Sequence, residues 1–326
     1  MKRIQVQQPG GPEALTLVDV AVPEPGPGQA LVKLAASGVN FIDVYIRTGL
    51  YKADAPITVG AEGAGIVERV GAGVTDVKPG DRVAYAMARG SYAEYAIVPA
   101  TQLVQVPDAV DLTTAAGVML QGMTAHYLTH STYPLKPGDT CLVHAAAGGA
   151  GGLIVQMARI RGAHVIGTTS TEDKAAIARA AGANDVILYT KQAFDVEAKR
   201  LTSGRGVDVV YDSVGKTTFD QSLNAVRTRG MVVLFGQSSG PVPPFDLNTL
   251  NGKGSLFVTR PSLGHYVATR DELLWRAGDV FNALAAGTLK LNLHRTFDLA
   301  HASDAHRLLE GRQTTGKIVL TIGSSR

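Results

Sequence analysis

One short loop constrains this chain more than any other feature: Ala146-Ala147-Gly148-Gly149-Ala150-Gly151. It joins an apolar segment that reads as a buried strand, 140–144, to a segment that reads as a helix, 152–161. Small residues at such a junction let the backbone approach a pyrophosphate, which sits where the first N–H groups of the helix lack partners. The motif has meaning only inside a continuing βα pattern, and the pattern continues. Strands are expected at 164–168, 185–188, 207–211 and 231–235, with helices at 172–181, 194–202 and 218–226 between them. This alternation predicts a parallel, doubly wound sheet covered on both faces. The near-continuous apolar run Val207-Asp208-Val209-Val210-Tyr211 suits a strand buried on both sides.

The N-terminal third has a different texture. Short segments at 30–36, 65–70, 82–86 and 92–98 read as strands, separated by Pro25-Gly26-Pro27-Gly28, Gly71-Ala72-Gly73 and Lys78-Pro79-Gly80-Asp81. They predict an antiparallel, barrel-like β domain. A helix is expected at 112–132, another at 270–286, and a last strand at 318–322. The length of 326 residues accommodates two such domains.

Composition narrows the partners. The net charge of +3, without any Lys/Arg-rich run, gives no footprint for nucleic acid. A few cations gathered around a phosphorylated ligand fit the same total. A single cysteine, Cys141, excludes an intrachain disulfide and a thiolate metal cage. The N-terminus lacks the apolar core of a signal peptide, and no run reaches the ~20 apolar residues of a membrane span. The expected location is the cytoplasm.

The cofactor's ribose is read one strand later. NAD binders place Asp or Glu there, on the 2′-hydroxyl. Here the strand end is Gly167-Thr168-Thr169-Ser170, with no acid. That leaves room for a 2′-phosphate, to which Ser170 can donate and Lys174 can bring charge. Glu172 and Asp173 intervene, but acids are favoured in a first helical turn. NADPH is therefore expected rather than NADH.

Over nearly its whole length the sequence resembles the medium-chain dehydrogenase/reductase superfamily. The resemblance rests on Gly60-Ala61-Glu62-Gly63-Ala64-Gly65-Ile66-Val67, Val70-Gly71 and Pro79-Gly80-Asp81-Arg82-Val83. Within the superfamily it is most similar to the zinc-independent quinone oxidoreductase, ζ-crystallin-like branch. The residues that carry this are Asn40-Phe41-Ile42-Asp43, Gly49-Leu50-Tyr51, the glycine loop with Gln156, Tyr211-Asp212-Ser213-Val214-Gly215 and Val258-Thr259-Arg260-Pro261-Ser262. The resemblance implies a GroES-like β-barrel catalytic domain, 1–121 with 262–326, and a Rossmann NADPH-binding domain, 122–261. It places the active site in the cleft and implies a homodimer.

The zinc enzymes of the superfamily surround their metal with Cys, His and a further Cys or acid. Here Asn40 stands near the expected Cys and Ala61 replaces the His before Glu62. His126 and His130 have i, i+4 spacing on a predicted helix but no third ligand motif. No metal is expected. Without a Lewis acid the substrate must accept hydride readily, as quinones do because reduction restores aromaticity. Catalysis then rests on positioning.

The expected pocket residues are Asn40, Asp43, Tyr45, Tyr51, Gln121 and Arg260, with Asn40 and Tyr51 binding the carboxamide or the substrate oxygen. By resemblance, NADPH meets Asn40 and Tyr45 at its nicotinamide end, then Tyr127, and Gly148, Gly149, Ala150 and Gly151 at the pyrophosphate. Ser170, Lys174 and Tyr189 face the 2′-phosphate, while Ser213, Phe235, Gly236, Ser238, Thr259 and Arg260 come from strand ends. A basic residue near the C-terminus also contacts the cofactor, with Arg312 and Lys317 both open. Two other functions fit the sequence: NADPH-dependent reduction of activated C=C bonds in enals or enones, and a non-catalytic NADPH- or RNA-binding role.

Overall fold

The computed structural model describes residues 1–323; residues 324–326, the end of the segment expected to complete the catalytic domain, lie outside the described residues. The chain divides into two compact units. The first comprises residues 1–123 and the segment from Tyr266 onward; the second is 124–265.

Along the chain the first unit contains β1 (Lys2–Val6), β2 (Thr16–Asp19), β3 (Gln29–Val39), α1 (Phe41–Arg47), β4 (Ile57–Thr58), β5 (Glu62–Val70), β6 (Arg82–Ala86), β7 (Tyr95–Pro99), β8 (Val104–Gln105) and most of α2 (Leu112–Tyr127). The second contains β9 (Thr140–Val143), α3 (Gly149–Ile160), β10 (His164–Thr169), α4 (Glu172–Ala180), β11 (Asp185–Leu188), α5 (Phe194–Leu201), β12 (Val207–Asp212), α6 (Phe219–Ala225), β13 (Val226–Leu234), α7 (Asn248–Gly252) and β14 (Phe257–Thr259). After α8 (Leu263–Tyr266), the first unit resumes with α9 (Arg270–Ala285), β15 (Leu293–Asp298), α10 (Ala302–Glu310) and β16 (Lys317–Thr321).

The fold class is that expected, a GroES-like domain and a Rossmann domain. In the first unit β3 organises the main sheet, whose order is β15-β16-β3-β5-β6-β8, with β7 also on β3. At eleven residues β3 is long, and its pairing with β5 shifts register twice, after Leu31 and after Leu34. Bulges of this kind bend a strand. Thus one edge of β3 pairs with β7 over Gln29–Lys33 and then with β16 over Ala36–Val39. The expected strand stopped at 36 because the partner that extends it lies at the far end of the chain. Val32, Leu34, Val67, Val83, Tyr92, Ile318 and Leu320 belong to the core beneath this sheet. Each such aliphatic residue, fully buried, contributes about 1.5–3 kcal/mol.

In the second unit all strands run parallel in the order β11-β10-β9-β12-β13-β14. This is the doubly wound arrangement, and its reversal of direction falls between β9 and β12, where such sheets receive ligands. Leu142, Ile166, Ile187, Val210 and Val232 pack on one face with Phe194, Phe219 and Leu223 from the helices. Helix α3 begins at Gly149, three residues before the expected start, so the loop glycines form its first turn. Helix α2 closes in a π-helical turn, Leu128–Thr132, where an α-helix was expected to run on. Among the described residues no helix is long and apolar enough to cross a membrane.

Candidate functional site

Because every strand of the second unit runs the same way, the loops after their C-terminal ends share one edge of the sheet. The glycine loop follows β9. Gly148 is the N-cap of α3 and has no side chain to satisfy the first-turn N–H groups. A Cβ on Gly151 would overlap the Ala145 carbonyl, and one on Gly167 would lie 2.8 Å from Ala146 Cβ. The result is a bare cradle of backbone donors, and this fits a dinucleotide pyrophosphate.

Several predicted residues sit on that same edge. Ser170 follows β10 and half-buried Lys174 lies in the first turn of α4, its backbone N–H donating to Thr171 Oγ1 at 3.3 Å. Tyr189 follows β11, exposed, with its N–H on Thr169 O at 3.1 Å. Ser213 follows β12. Phe235, Gly236 and Ser238 follow β13, with Phe235 N donating to Asp212 O at 2.8 Å and Ser238 N to Ser213 O at 3.2 Å. Any side chain at Gly236 would meet Ser213 O at 2.6 Å, so these two loops touch through backbone. Thr259 ends β14 and exposed Arg260 follows it. Tyr127 is buried at the end of α2.

A latch beneath the loops holds these ends in register. Asp212 accepts from Val214 N at 2.8 Å, Gly215 N at 3.0 Å, Thr218 Oγ1 at 2.8 Å and Ser222 Oγ at 2.9 Å. Ser222 therefore receives the proton of His144 Nε2, 3.0 Å away, and His144 Nδ1 accepts from Thr168 Oγ1 at 2.9 Å. Burial holds the His144 imidazole below its usual range, in keeping with a neutral ring that accepts at Nδ1.

The first unit gathers another cluster around Asn40, the N-cap of α1. The Asp43 carboxylate accepts the Asn40 N–H at 2.9 Å, closing a capping box. The Asn40 side chain is fully engaged. Its Oδ1 accepts from Lys317 Nζ at 2.7 Å and Gln121 Nε2 at 3.0 Å, while Nδ2 donates to Glu62 Oε1 at 2.7 Å and Gly38 O at 3.4 Å. Lys317 and Glu62 are both wholly inaccessible and form an ion pair. The other Glu62 oxygen accepts the Leu120 N–H of α2 at 2.6 Å. Gly38 makes room for this carboxylate, which any side chain there would overlap. Burial pulls the Lys317 ammonium down from its usual range, and Glu62 opposes that shift.

Two expectations are corrected here. Lys317 was one of two candidates for a cofactor contact, but its ammonium has three donors, and they meet Val39 O at 3.1 Å, Asn40 Oδ1 and Glu62 Oε1. It is an internal cation; Arg312, in an exposed turn after α10, is the member of the pair that remains. Asn40 was expected to bind the carboxamide or the substrate oxygen, and every donor and acceptor of its side-chain amide already has a protein partner.

Beyond Asp43 the cluster continues to the surface. Arg47 donates to Glu310 at 2.7 Å and contacts His306 Nδ1 at 3.0 Å. Arginine cannot accept, so Nδ1 accepts and Nε2 carries the proton. That proton faces Tyr92 Oη at 3.1 Å, and Tyr92 donates to Asp43 Oδ2 at 3.2 Å. The chain of bonds thus has one fixed direction, ending on Asp43. Burial, then the Arg47 charge, presses His306 down to about 3. Burial raises Asp43 to about 7, against the Asn40 hydrogen bond and the Lys317 charge. Asp43 Oδ1 and Gln121 Oε1 are buried without partners. Nearby, Tyr45 packs its ring against Phe41 and Tyr51, with centroids 6.1 and 5.4 Å away.

Glu62, Arg47, Tyr92, His306, His144 and Asp212 were not singled out from sequence as site residues. A signal existed for Glu62 and Lys317. Each is a lone charge in an apolar segment, Gly60-Ala61-Glu62-Gly63-Ala64 and Gly316-Lys317-Ile318-Val319. A buried charge without a local partner implies a distant one. The His126–His130 pair is stacked, with centroids 4.1 Å apart and planes at 5°. Among the described residues no group of three or more His, Cys, Asp or Glu is placed to hold a metal ion.

Residues 26–108 match the family described as alcohol dehydrogenase GroES-like domain, and residues 149–271 that described as zinc-binding dehydrogenase. The zinc of that description does not fit this chain: an asparagine amide and Ala61 stand where Cys and His are expected, beside a lysine ammonium. The chain is 46% identical over 321 residues to a quinone oxidoreductase of Pseudomonas aeruginosa, covering 98% of this chain and 99% of that one. It is 45% identical over 323 residues to a 2-haloacrylate reductase of a Burkholderia species, covering 97% of each. The solved Escherichia coli quinone oxidoreductase complexed with NADPH superposes with a TM-score of 0.97 at 42% identity, covering 98% of this chain and 100% of that one.

Proposed function

The chain belongs to the quinone oxidoreductases of the medium-chain dehydrogenase/reductase superfamily, and on that footing we propose that it reduces quinones at the expense of NADPH. The observation that carries this reading is the bare backbone cradle at Gly148–Gly151, one strand from an end with no carboxylate, in a chain alike over its whole length to NADPH-binding quinone oxidoreductases.

NADPH, when bound, supplies the hydride. The protein's own residues hold and orient. The first turn of α3 takes the pyrophosphate, and Ser170, Lys174 and Tyr189 take the 2′-phosphate. Ser213, Phe235, Gly236, Ser238, Thr259 and Arg260 line the path along the strand ends, with Tyr127 and Arg312 as further contacts. On the first unit, Tyr45, Tyr51 and Gln121 face the reacting groups, while Asn40 and Asp43 hold α1 and its loop in place. A quinone takes hydride without a Lewis acid, so binding geometry supplies most of the rate.

Assembly and location belong to the same reading. Phe257 is 57% exposed on β14, the edge strand of the parallel sheet, and Leu247 nearby in sequence is 72% exposed. An exposed apolar edge strand favours pairing with a second copy, and we propose a homodimer. A lone buried Cys141 suits a reducing cytoplasm. The 45% identity to a 2-haloacrylate reductase favours a second reading, reduction of an activated C=C bond by the same site.

The test is cofactor oxidation by chelator-treated protein, with NADPH or NADH against 1,4-benzoquinone, 9,10-phenanthrenequinone and an enone. Rapid NADPH loss with a quinone, slow loss with NADH and no response to the chelator are expected. Turnover of the enone alone replaces the first reading with the second. Failure to bind either cofactor overturns both.

A further inference from the structure

Charge fixes which atom of Gln121 is left over. Lys317 can only donate, so the Asn40 amide must turn Oδ1 toward it. Glu62, paired with that ammonium, is an acceptor, so Asn40 Nδ2 must face Glu62, as it does at 2.7 Å. With Oδ1 so placed, Gln121 must present Nε2 to it, at 3.0 Å. Its other terminal atom, Oε1, is then an acceptor shielded from water and without a partner. The two amides have no freedom to exchange their ends while the Lys317–Glu62 pair is intact. Buried unpaired acceptors are uncommon and costly, and those that persist call for a functional account.

We propose that Gln121 is the ligand-contacting group of this cluster, its Oε1 accepting an N–H or O–H of a bound ligand, and that Asn40, Glu62 and Lys317 are positioning residues that hold it in that orientation. The assignment rests on the reading of the site given above, in which Gln121 faces the reacting groups. The residue as a whole is half-buried. The terminal torsion of a glutamine is soft, so a modest rotation turns Oε1 toward a ligand while the Nε2–Asn40 hydrogen bond lengthens from its 3.0 Å. Two ligands carry the required donor: the cofactor, in its carboxamide NH2, and the reduced substrate, in its hydroxyl.

The test compares ligands with and without that donor, by titration without turnover. One arm sets NADPH against its 3-acetylpyridine analogue, which lacks the carboxamide NH2. The other sets 1,4-hydroquinone against 1,4-dimethoxybenzene in the NADP-bound protein. In one arm the unmodified protein favours the donor-bearing ligand by about three- to tenfold, the range of one neutral hydrogen bond, and Gln121→Met abolishes the preference. The arm that responds identifies the source of the donor. The double variant Glu62→Gln/Lys317→Met removes both charges of the pair together, so neither is left without its partner. With folding verified by its melting transition, it weakens the same preference although neither residue reaches the ligand. An unchanged preference in Gln121→Met, or none in either arm of the unmodified protein, overturns the contact. An unchanged preference in the folded double variant overturns the positioning role. A protein that binds NADPH but turns over no quinone leaves the cofactor arm readable, so failure of the functional reading is seen separately.

Discussion

Acidification should act on this protein in two opposite ways at two buried groups that flank one hydroxyl, that of Tyr92. On one side of it His306 falls to about 3 in the folded chain, from 6.5 when exposed. A depressed imidazole gives stability that is present above 6.5 and lost as the pH falls toward 3. On the other side Asp43 is raised to about 7 from 3.8. A raised carboxyl gives stability that is complete below 3.8 and lost as the pH rises through 7. Between pH 7 and pH 5, His306 therefore removes about 2 kcal/mol, being 1.5 units at ~1.36 kcal/mol each. Over the same interval Asp43 returns about 2 kcal/mol, since the folded state takes up its proton and the unfolded state does not. The two nearly cancel in the unmodified protein. Relative to it, His306→Gln should gain about 2 kcal/mol on going from pH 7 to pH 5, and Asp43→Asn should lose about as much. Denaturant unfolding at the two pH values measures this. The only tryptophan, Trp275, lies on α9 in the same unit as both residues, so its fluorescence reports that unit rather than the whole chain. Shifts of the same sign in both variants, or a His306→Gln profile parallel to the unmodified one, would refute the reasoning.

Three further outcomes follow from the geometry. Lys317→Met leaves the Glu62 carboxylate buried without its counter-charge and should cost roughly 3–5 kcal/mol, with much of it restored in Glu62→Gln/Lys317→Met; the same fluorescence unfolding measures both. Gly151→Ala drives a methyl into the Ala145 carbonyl and should spread the loop, weakening NADPH by about tenfold or more, about 1.4 kcal/mol, in a fluorescence titration. Ser170→Asp sets a carboxylate at the strand end, where NAD binders carry one, and should lower the NADPH-over-NADH preference in kcat/KM by on the order of tenfold or more.

The second unit was legible because its information is local. Strands buried on both faces write continuous apolar runs, and the glycine loop announces itself by what precedes and follows it. Ser170 could be read as the residue that follows β10 by counting along the chain. The first unit hides more. β2 (Thr16-Leu17-Val18-Asp19) and β15 (Leu293-His294-Arg295-Thr296-Phe297-Asp298) are mostly exposed, so they carry too little apolar pattern to be seen. Both are strands because a neighbour supplies the ladder. The cluster was half-visible. Asn40, Asp43 and Gln121 were singled out, but what they do to one another depends on Glu62 and Lys317, 255 residues apart, and on Arg47 and His306, 259 apart. Pairings at such separation leave no trace in spacing, and Lys317 therefore stood beside Arg312 as an open candidate for a cofactor contact when its partner is a carboxylate of the same unit.

The position of β16 in the sheet, between β15 and β3, has a consequence for how the molecule is made. On a ribosome the second unit is contiguous and can close as soon as it emerges. The first unit cannot. Its early strands must wait, with the edge of β3 uncovered beyond β7 and the Glu62 carboxylate still hydrated, until residues 317–321 arrive, Lys317 being 255 positions after Glu62 and Ile318 pairing back to Val39. β16 brings both the missing ladder and the missing cation, so closure of the main sheet and dehydration of the Asn40 cluster are one event. A nascent chain stalled before β16 would display a finished nucleotide-binding half attached to a half whose main sheet and buried ion pair are still open.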